Sequence, residues 1–362
     1  MLPWLRDWHA NPHSDHFHGR RAHAAVEEAR TSVATLIGAD PEEIVFTSGA
    51  TESVNLALQG YLRGYAGSGR LVHSSIEHAC VREVGRALKS EGVDVQVVPV
   101  DRTGMVRQVD LQGALSLRVT DRTLVSLIHA NNEIGTVQPI GSLSRTARDA
   151  GALIHLDASQ SAGWLPMEEM AQDVDLLTLS SHKLGGPAGI AALFIATGVE
   201  RMIRPLVFGG GQESGLRSGT VAPFLAVGFG EACRLIRLKR DAFFARAKAA
   251  ADAFIASLGA GDVEFELIGH PTDRLPGLCS IRFVGVPAVE LLGRLNRVLS
   301  ASSSSACSSG QVRASPVLRA LALSEEEAME VIRFGFGCGL DNFEASSLAT
   351  AVSEAVLSIV KR

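Results

Sequence analysis

The chain is 362 residues long, 46% hydrophobic and 20% charged, with a formal net charge of −5, the composition of a globular protein with ample core material. Its 34 lysines and arginines form no long basic run, which argues against nucleic acid or an acidic membrane surface as the main partner. The five cysteines (Cys80, Cys233, Cys279, Cys307 and Cys338) are scattered and never at CxxC spacing, which argues against a structural zinc site, a redox pair or a disulfide framework.

The opening "MLPWLRDWHANPHSDHFHGRR" lacks the apolar stretch of a signal peptide, and no segment approaches the length needed to cross a membrane. The expectation is a cytosolic (cytoplasmic) protein with no membrane contact. His9, His13, His16, His18 and His23 crowd this region, but their spacing is irregular and no acidic or cysteine cluster accompanies them, so no metal site is expected.

Strands and helices then alternate. "EEIVFTSGATESVNLALQGYLR" runs from an apolar strand through a Ser48–Thr51 turn into an amphipathic helix. "RLVHSSIEHACVREVGRALKSEG" repeats the plan and ends at Gly92. "DVQVVPV", "RTLVSLIHANNEIG", "ALIHLDASQSAG", "DLLTLSSHKLGG" and "AGIAALFIAT" are apolar runs rich in β-branched residues, most of them closing in polar ones. This alternation predicts an α/β fold with a mostly parallel sheet covered by helices on both faces. Near residue 240 the texture changes. A long Ala/Lys/Arg helix leads into a smaller α+β C-terminal segment with strands "VEFELIG" and "LCSIRFV" and a serine-rich loop, "SASSSSACSSG". The expected division is a large domain over 12–240 and a small one over 241–362 that also includes residues 1–11.

Ligands of open parallel sheets bind outside the carboxyl ends of the strands. Ser48 to Thr51, His78, Asn132, Asp157, Gln160 and Ser180 to Lys183 all fall at such ends. Singly, each has a plainer reading. The "SGAT" turn is a phosphate cradle in principle, but its hydroxyls equally suit an N-cap worth about 1 kcal/mol. Asp157 and Lys183 are harder to set aside, because a buried carboxylate must be paired and a buried amine must shed its charge. An aspartate at one strand end and a lysine at another suit pyridoxal phosphate (PLP), the one holding the pyridine nitrogen protonated and the other forming an imine.

Taken together, "TSGATESVNLAL", "HANNEIGTVQPI", "HLDASQSAG", "LSSHKLGGPAGI", "GGGQESGLRSGT" and "SSSACSSG" resemble the cysteine desulfurases, fold-type I PLP enzymes of the class V aminotransferase group. The likeness covers nearly the whole chain in the family's order and spacing. The short serine-rich "SSACSSG" resembles the nitrogen-fixation and housekeeping iron–sulfur-assembly type. Relative to the family, the chain begins without the "D-N-x-A-T-T"-like strand ahead of Asn11-Pro12, so it is expected to be N-terminally short.

The resemblance implies roles. Lys183 would carry the cofactor and take the substrate Cα proton. Asp157 would pair with the pyridine nitrogen, Gln160 would bond the phenolic oxygen, and His78 would stack on the ring and help in proton transfer. Thr51, Ser180 and His182 would bind the phosphate, joined by Thr220 from a second subunit of a homodimer. Asn132 and Arg333 would hold the substrate carboxylate, a task suited to the arginine fork. Cys307, a thiol in a serine-rich, mobile loop, would attack the sulfur of L-cysteine as thiolate, leaving a persulfide on the enzyme and releasing L-alanine. The persulfide would pass to a protein sulfur acceptor, such as an iron–sulfur scaffold or a thiolation relay. Two other readings stay open: a selenocysteine lyase or other class V PLP enzyme, and a degenerate, non-catalytic dimeric partner protein.

Overall fold

The computed structural model describes residues 1–63, 69–117, 122–303, 306–308, 311–337 and 339–361; for 306–308 and 311–313 it describes the backbone alone. The residues group into two compact units. The first comprises Met1–Val98, Gln108–His129 and Pro139–Arg240, and the second Pro99–Arg107, Ala130–Gln138 and Asp241–Arg362.

The first unit is built on seven strands: β1 (Ile44–Thr47), β2 (Gly69–Ser74), β3 (Asp94–Val98), β4 (Arg122–Ile128), β5 (Leu153–Asp157), β6 (Leu176–Ser180) and β7 (Ala191–Ile195). Their order across the sheet is β1-β7-β6-β5-β4-β2-β3. Pairing is parallel from β3 through β2, β4 and β5 to β6. β7 is antiparallel to both β6 and β1, so β1 again points the same way as β6.

β1, β2, β4, β6 and β7 are buried along their whole length, which is why they read as continuous apolar runs without alternation. The helices Ala50–Leu62 and Ala79–Ser90 cover part of the sheet, with Val54, Leu58, Val81 and Leu88 packed against Leu71, Leu124, Leu176 and Leu193. Residues 1–11 belong with this unit and not with the small one. The Arg21 guanidinium, on the helix Phe17–Ile37, lies 3.6 Å from the Trp8 ring centre, and Trp4 meets Trp8 edge-on. His16 has a structural task here, its Nδ1 accepting the Gly19 amide as the cap of that helix.

The second unit contains β8 (Phe265–Ile268), β9 (Leu278–Phe283), β10 (Ser302–Ser303), β11 (Ala306–Ser308), β12 (Gln311–Arg313) and β13 (Val331–Gly335). Four of these form an antiparallel sheet in the order β10-β13-β9-β8. β11 and β12 pair separately as a two-stranded ribbon. The segment around Cys307, expected as an open loop, therefore has paired backbone. Arg333 lies on β13, inside the sheet between β9 and β10.

Phe254, Phe283, Phe334 and Phe336 form the centre of this unit's core, joined by Leu291 and by Ala345, Ala349, Val352 and Val356 of the helix Asn342–Val360. At 19 residues this helix has the length and apolar content to cross a membrane, contrary to expectation. Its buried positions recur three and four residues apart along one stripe while Glu344 and Glu354 are exposed, the pattern of an amphipathic helix on a core.

The Phe254 ring centre lies 5.0 Å from that of Phe334 and 5.1 Å from that of Phe336. Phe254→Ala is expected to destabilise the protein by about 3–5 kcal/mol through lost transfer energy and the cavity left behind. The denaturant midpoint measures it, and an unchanged midpoint would refute this account of the core.

Candidate active site

Because β1, β2, β3, β4, β5 and β6 share one direction, their last residues, Thr47, Ser74, Val98, Ile128, Asp157 and Ser180, lie along one edge of the sheet. Apart from Thr220, the residues singled out in the large unit lie at these ends or within a few residues after them.

After β6 the chain makes a 3-10 turn, Ser181–Leu184, closed by Gly185 in the left-handed region at φ +82. Gly186 is needed for space, since a Cβ there would stand 2.3 Å from Ser181 Oγ. The Ser180 hydroxyl pairs with His182 Nδ1 at 3.0 Å. The turn lifts Lys183 out of the strand, and it is exposed. The expectation of a desolvated lysine does not hold for this chain by itself, because the strand ends at Ser180 and the turn faces outward.

Asp157, the last residue of β5, is 5% exposed, and its Oδ1 accepts the Ser159 amide at 3.0 Å. Gln160 follows on the same turn, half-buried. His78 is the cap of the helix Ala79–Ser90 and is exposed. Its Nδ1 accepts the Cys80 amide at 3.2 Å and lies 3.0 Å from Cys80 Sγ. With Nδ1 an acceptor, a neutral His78 ring carries its proton on Nε2.

The helix Ala50–Leu62 begins after Gly49, and no side chain caps it; neither Ser48 nor Thr51 serves as the N-cap. The Ser48 amide donates instead to Glu52 Oε2 at 2.7 Å, and Thr51 is exposed in the first turn. An uncapped helix N-terminus with an exposed hydroxyl leaves amide donors and a positive dipole end available to a phosphate. With the buried carboxylate of Asp157 and the accessible amine of Lys183, this donor set fits PLP.

Thr220 is exposed and ends a loop held from several sides. The Glu213 carboxylate takes both guanidinium NH2 groups of the buried Arg30, at 2.7 and 2.8 Å, and accepts the Phe46 amide of β1 at 2.7 Å. Glu213 and Ser214 both have left-handed backbone, at φ +49 and +54. Arg217 pairs with Glu52 at 2.8 Å. These anchors escaped the sequence reading, since Arg30 and Glu213 lie 183 positions apart and nothing local couples them.

In the second unit, Arg333 donates from Nη1 to the Asn132 carbonyl at 2.8 Å, so the two residues singled out for the substrate carboxylate are in contact. Cys307 lies on β11 opposite Val312 of β12.

Buried ionisable groups lie on and just after the central strands, and no sequence pattern marks them. His155 on β5 is fully buried between Ser126 Oγ and Thr178 Oγ1, both at 2.9 Å, and burial lowers its pKa against the raising effect of Asp157. His129, which follows β4, is lowered to about 4 by burial. An unfolded histidine binds its proton near pH 6.5. Both groups therefore contribute stability that is fully present above pH 6.5 and lost as pH falls toward 4. The thermal midpoint of wild type is expected to fall across that window, and less steeply in His129→Gln. Parallel curves would mean that His129 is charged in the fold.

The chain matches the family model described as "Aminotransferase class-V" over residues 1–347. It is 41% identical over 360 residues to the "Cysteine desulfurase, mitochondrial" of Arthroderma benhamiae, covering 98% of this chain and 71% of that one. Among solved structures it resembles a "NifS-like protein" at a TM-score of 0.88 and 30% identity, covering 99% of this chain and 94% of that one. It also resembles "SspA in complex with cysteine" at a TM-score of 0.80 and 33% identity, covering 92% of each. Members of the family use pyridoxal phosphate, in keeping with the donor set at the strand ends. From fold, site and likeness together, the chain belongs to the class-V aminotransferase family and has the fold-type I architecture.

Proposed function

We propose that the protein is a PLP-dependent cysteine desulfurase that converts L-cysteine to L-alanine and transfers the sulfur through Cys307. The observation that carries this reading is the alignment of Asp157, Ser180, His182 and Lys183 along one sheet edge, in a chain 41% identical to a protein named a cysteine desulfurase. The cysteine complex of a structural relative supports the choice of substrate. No observation favours a selenocysteine lyase or a non-catalytic partner protein.

When bound, PLP supplies an electron sink for the negative charge that develops at the substrate Cα. The chain's own groups do the rest. Asp157, held at a strand end by the Ser159 amide, presents a carboxylate to the pyridine nitrogen. Gln160 would bond the phenolic oxygen, and His78 would cover the ring. Thr51, Ser180 and His182 receive the phosphate beside the uncapped helix N-terminus. Lys183 would hold the cofactor, and its amine would take the proton from the substrate Cα.

Asn132 and Arg333 orient the substrate carboxylate. The Arg333 hydrogen bond to the Asn132 carbonyl uses one Nη1 proton and leaves the fork further donors. The Cys307 thiolate attacks the substrate Sγ. A sulfur–sulfur bond forms, the substrate carbon–sulfur bond breaks, and protonation of the three-carbon fragment gives alanine. No external oxidant or reductant is needed. The persulfide then passes to a protein acceptor of the iron–sulfur-scaffold or thiolation type.

A homodimer with shared sites is part of this reading. Thr220 is exposed on a loop that also displays Phe208, 82% exposed, and Val207, 42% exposed, which suits burial against a second copy. Cytosolic placement draws no support from a relative named as mitochondrial, and a reducing compartment is the coarser reading, in keeping with unpaired Cys80, Cys233 and Cys279 among the described residues.

The test is the intact mass of the PLP-loaded protein after brief exposure to L-cysteine, with alanine assayed in parallel. Wild type is expected to gain one sulfur and form alanine, and Cys307→Ser and Lys183→Ala to do neither. Bound cofactor with neither product in wild type would refute the desulfurase reading.

A further inference from the structure

A buried carboxyl group stands beside this site with no part yet assigned to it. Glu77 lies between β2 and the helix Ala79–Ser90, one residue ahead of His78, and is 0% exposed. Its Oε1 accepts the Ser74 hydroxyl at 2.5 Å and the Ile128 amide at 2.9 Å. Those donors are the last residues of β2 and β4, so one oxygen ties the corner before His78 to two neighbouring strands. Its Oε2 is buried without a hydrogen-bond partner.

The ionisable groups around Glu77 do not compensate a charge on it. Asp157, from β5, acts on it as a like charge. Cys80, from the helix, is itself pushed up to about 12, first by burial and then by Asp157 and Glu77. His78 is turned to Cys80, and His155, also on β5, is occupied by Ser126 and Thr178. Arg82 reaches only the backbone carbonyl of Glu77. A carboxylate shut off from solvent, with no cationic side chain paired with it among the described residues and a second carboxylate nearby, takes up a proton. Burial accordingly raises Glu77 to about 8, with the Asp157 charge adding to it and the Ser74 and Ile128 donors pulling against it.

We propose that Glu77 is a positioning residue for the reaction: as a neutral acid it pins the corner that carries His78 and would leave Asp157 as the anion that meets the cofactor's pyridine nitrogen. The proposal rests on the PLP-dependent reading above. It assigns Glu77 no contact with substrate or cofactor. Above about pH 8 the group ionises and places a second negative charge beside Asp157. That charge changes the field at the ring, so the absorption of bound PLP reports it.

The direction of the pH effect on stability also follows. Glu77 holds its proton in the folded chain up to about 8, whereas an unfolded glutamate releases it near 4.5. The folded state therefore binds the extra proton between those values. The stabilisation is complete below 4.5 and is lost as pH rises through 8.

The experiment uses the PLP-loaded 362-residue chain as wild type, Glu77→Gln, Glu77→Ala and Ser74→Ala. Three quantities are read against pH: thermal midpoint, absorption of the bound cofactor, and kcat and KM for cysteine. Glutamine copies the neutral acid. Glu77→Gln is expected to keep cofactor binding and kcat at pH 7, to lose the cofactor transition near pH 8, and to gain stability relative to wild type as pH rises from 5 to 9. Glu77→Ala removes both corner hydrogen bonds and is expected to lower kcat by about tenfold or more, with KM changed much less.

Ser74→Ala tests the same proton without altering Glu77. Losing a donor that favours the charged form is expected to move the cofactor transition to higher pH. A Glu77→Gln protein as impaired as Glu77→Ala at pH 7, a stability difference from wild type independent of pH, or an unmoved transition in Ser74→Ala would each overturn the proposal. The stability readout needs no turnover. Failure of wild type to make alanine therefore refutes the desulfurase reading alone, and a flat stability difference refutes the role of Glu77 alone.

Discussion

Parallel strand pairing is the constraint on which the rest of this structure depends. Hydrogen bonds between β2, β4, β5 and β6 force four chain segments to run in one direction, so four turns emerge at one edge with their polar residues side by side. Asp157 and Ser180 are the last residues of adjacent strands, and their proximity follows from backbone pairing. The helices that connect these strands pack on the sheet and bury β2, β4 and β6 along their whole length, which excludes water from them and raises the cost of any charge placed at their ends.

That cost organises the electrostatics of the site. His155 and His129 are held neutral by burial alone. Glu77 is held neutral by burial and by Asp157. Asp157 itself rests on a backbone amide at the rim, where a cationic ligand atom can meet it. A strand-end edge that carried several charged carboxylates would repel itself. A proton on Glu77 leaves Asp157 as the carboxylate that can be used. Lys183 avoids the problem in another way, because its 3-10 turn carries the amine into solvent in the isolated chain.

The loop ending at Thr220 shows how backbone strain can be kept in place. Two consecutive non-glycine residues adopt left-handed backbone at a cost of order 1–3 kcal/mol each. A buried bidentate ion pair between Glu213 and Arg30, a bond to the Phe46 amide and the Arg217–Glu52 pair over-determine the loop. Glu52 also accepts the Ser48 amide, so the loop is braced against the same turn that offers its helix N-terminus to a phosphate.

The sequence by itself determined the strand–helix alternation, the change of texture near residue 240, and the strand-end positions of Asp157, Lys183 and His78. These are legible because apolar runs, glycine turns and polar closures are local in the chain. It also carried the family likeness, whose motifs are contiguous. Only the tertiary structure decided the exposure of Lys183, the uncapped start at Gly49, the paired backbone around Cys307, and the place of residues 1–11 with the large unit. It alone decided the Arg30–Glu213 anchor and the burial of Glu77. Each of these depends on which distant segments exclude water from a group or supply its hydrogen-bond partner, and a one-dimensional pattern holds no record of that.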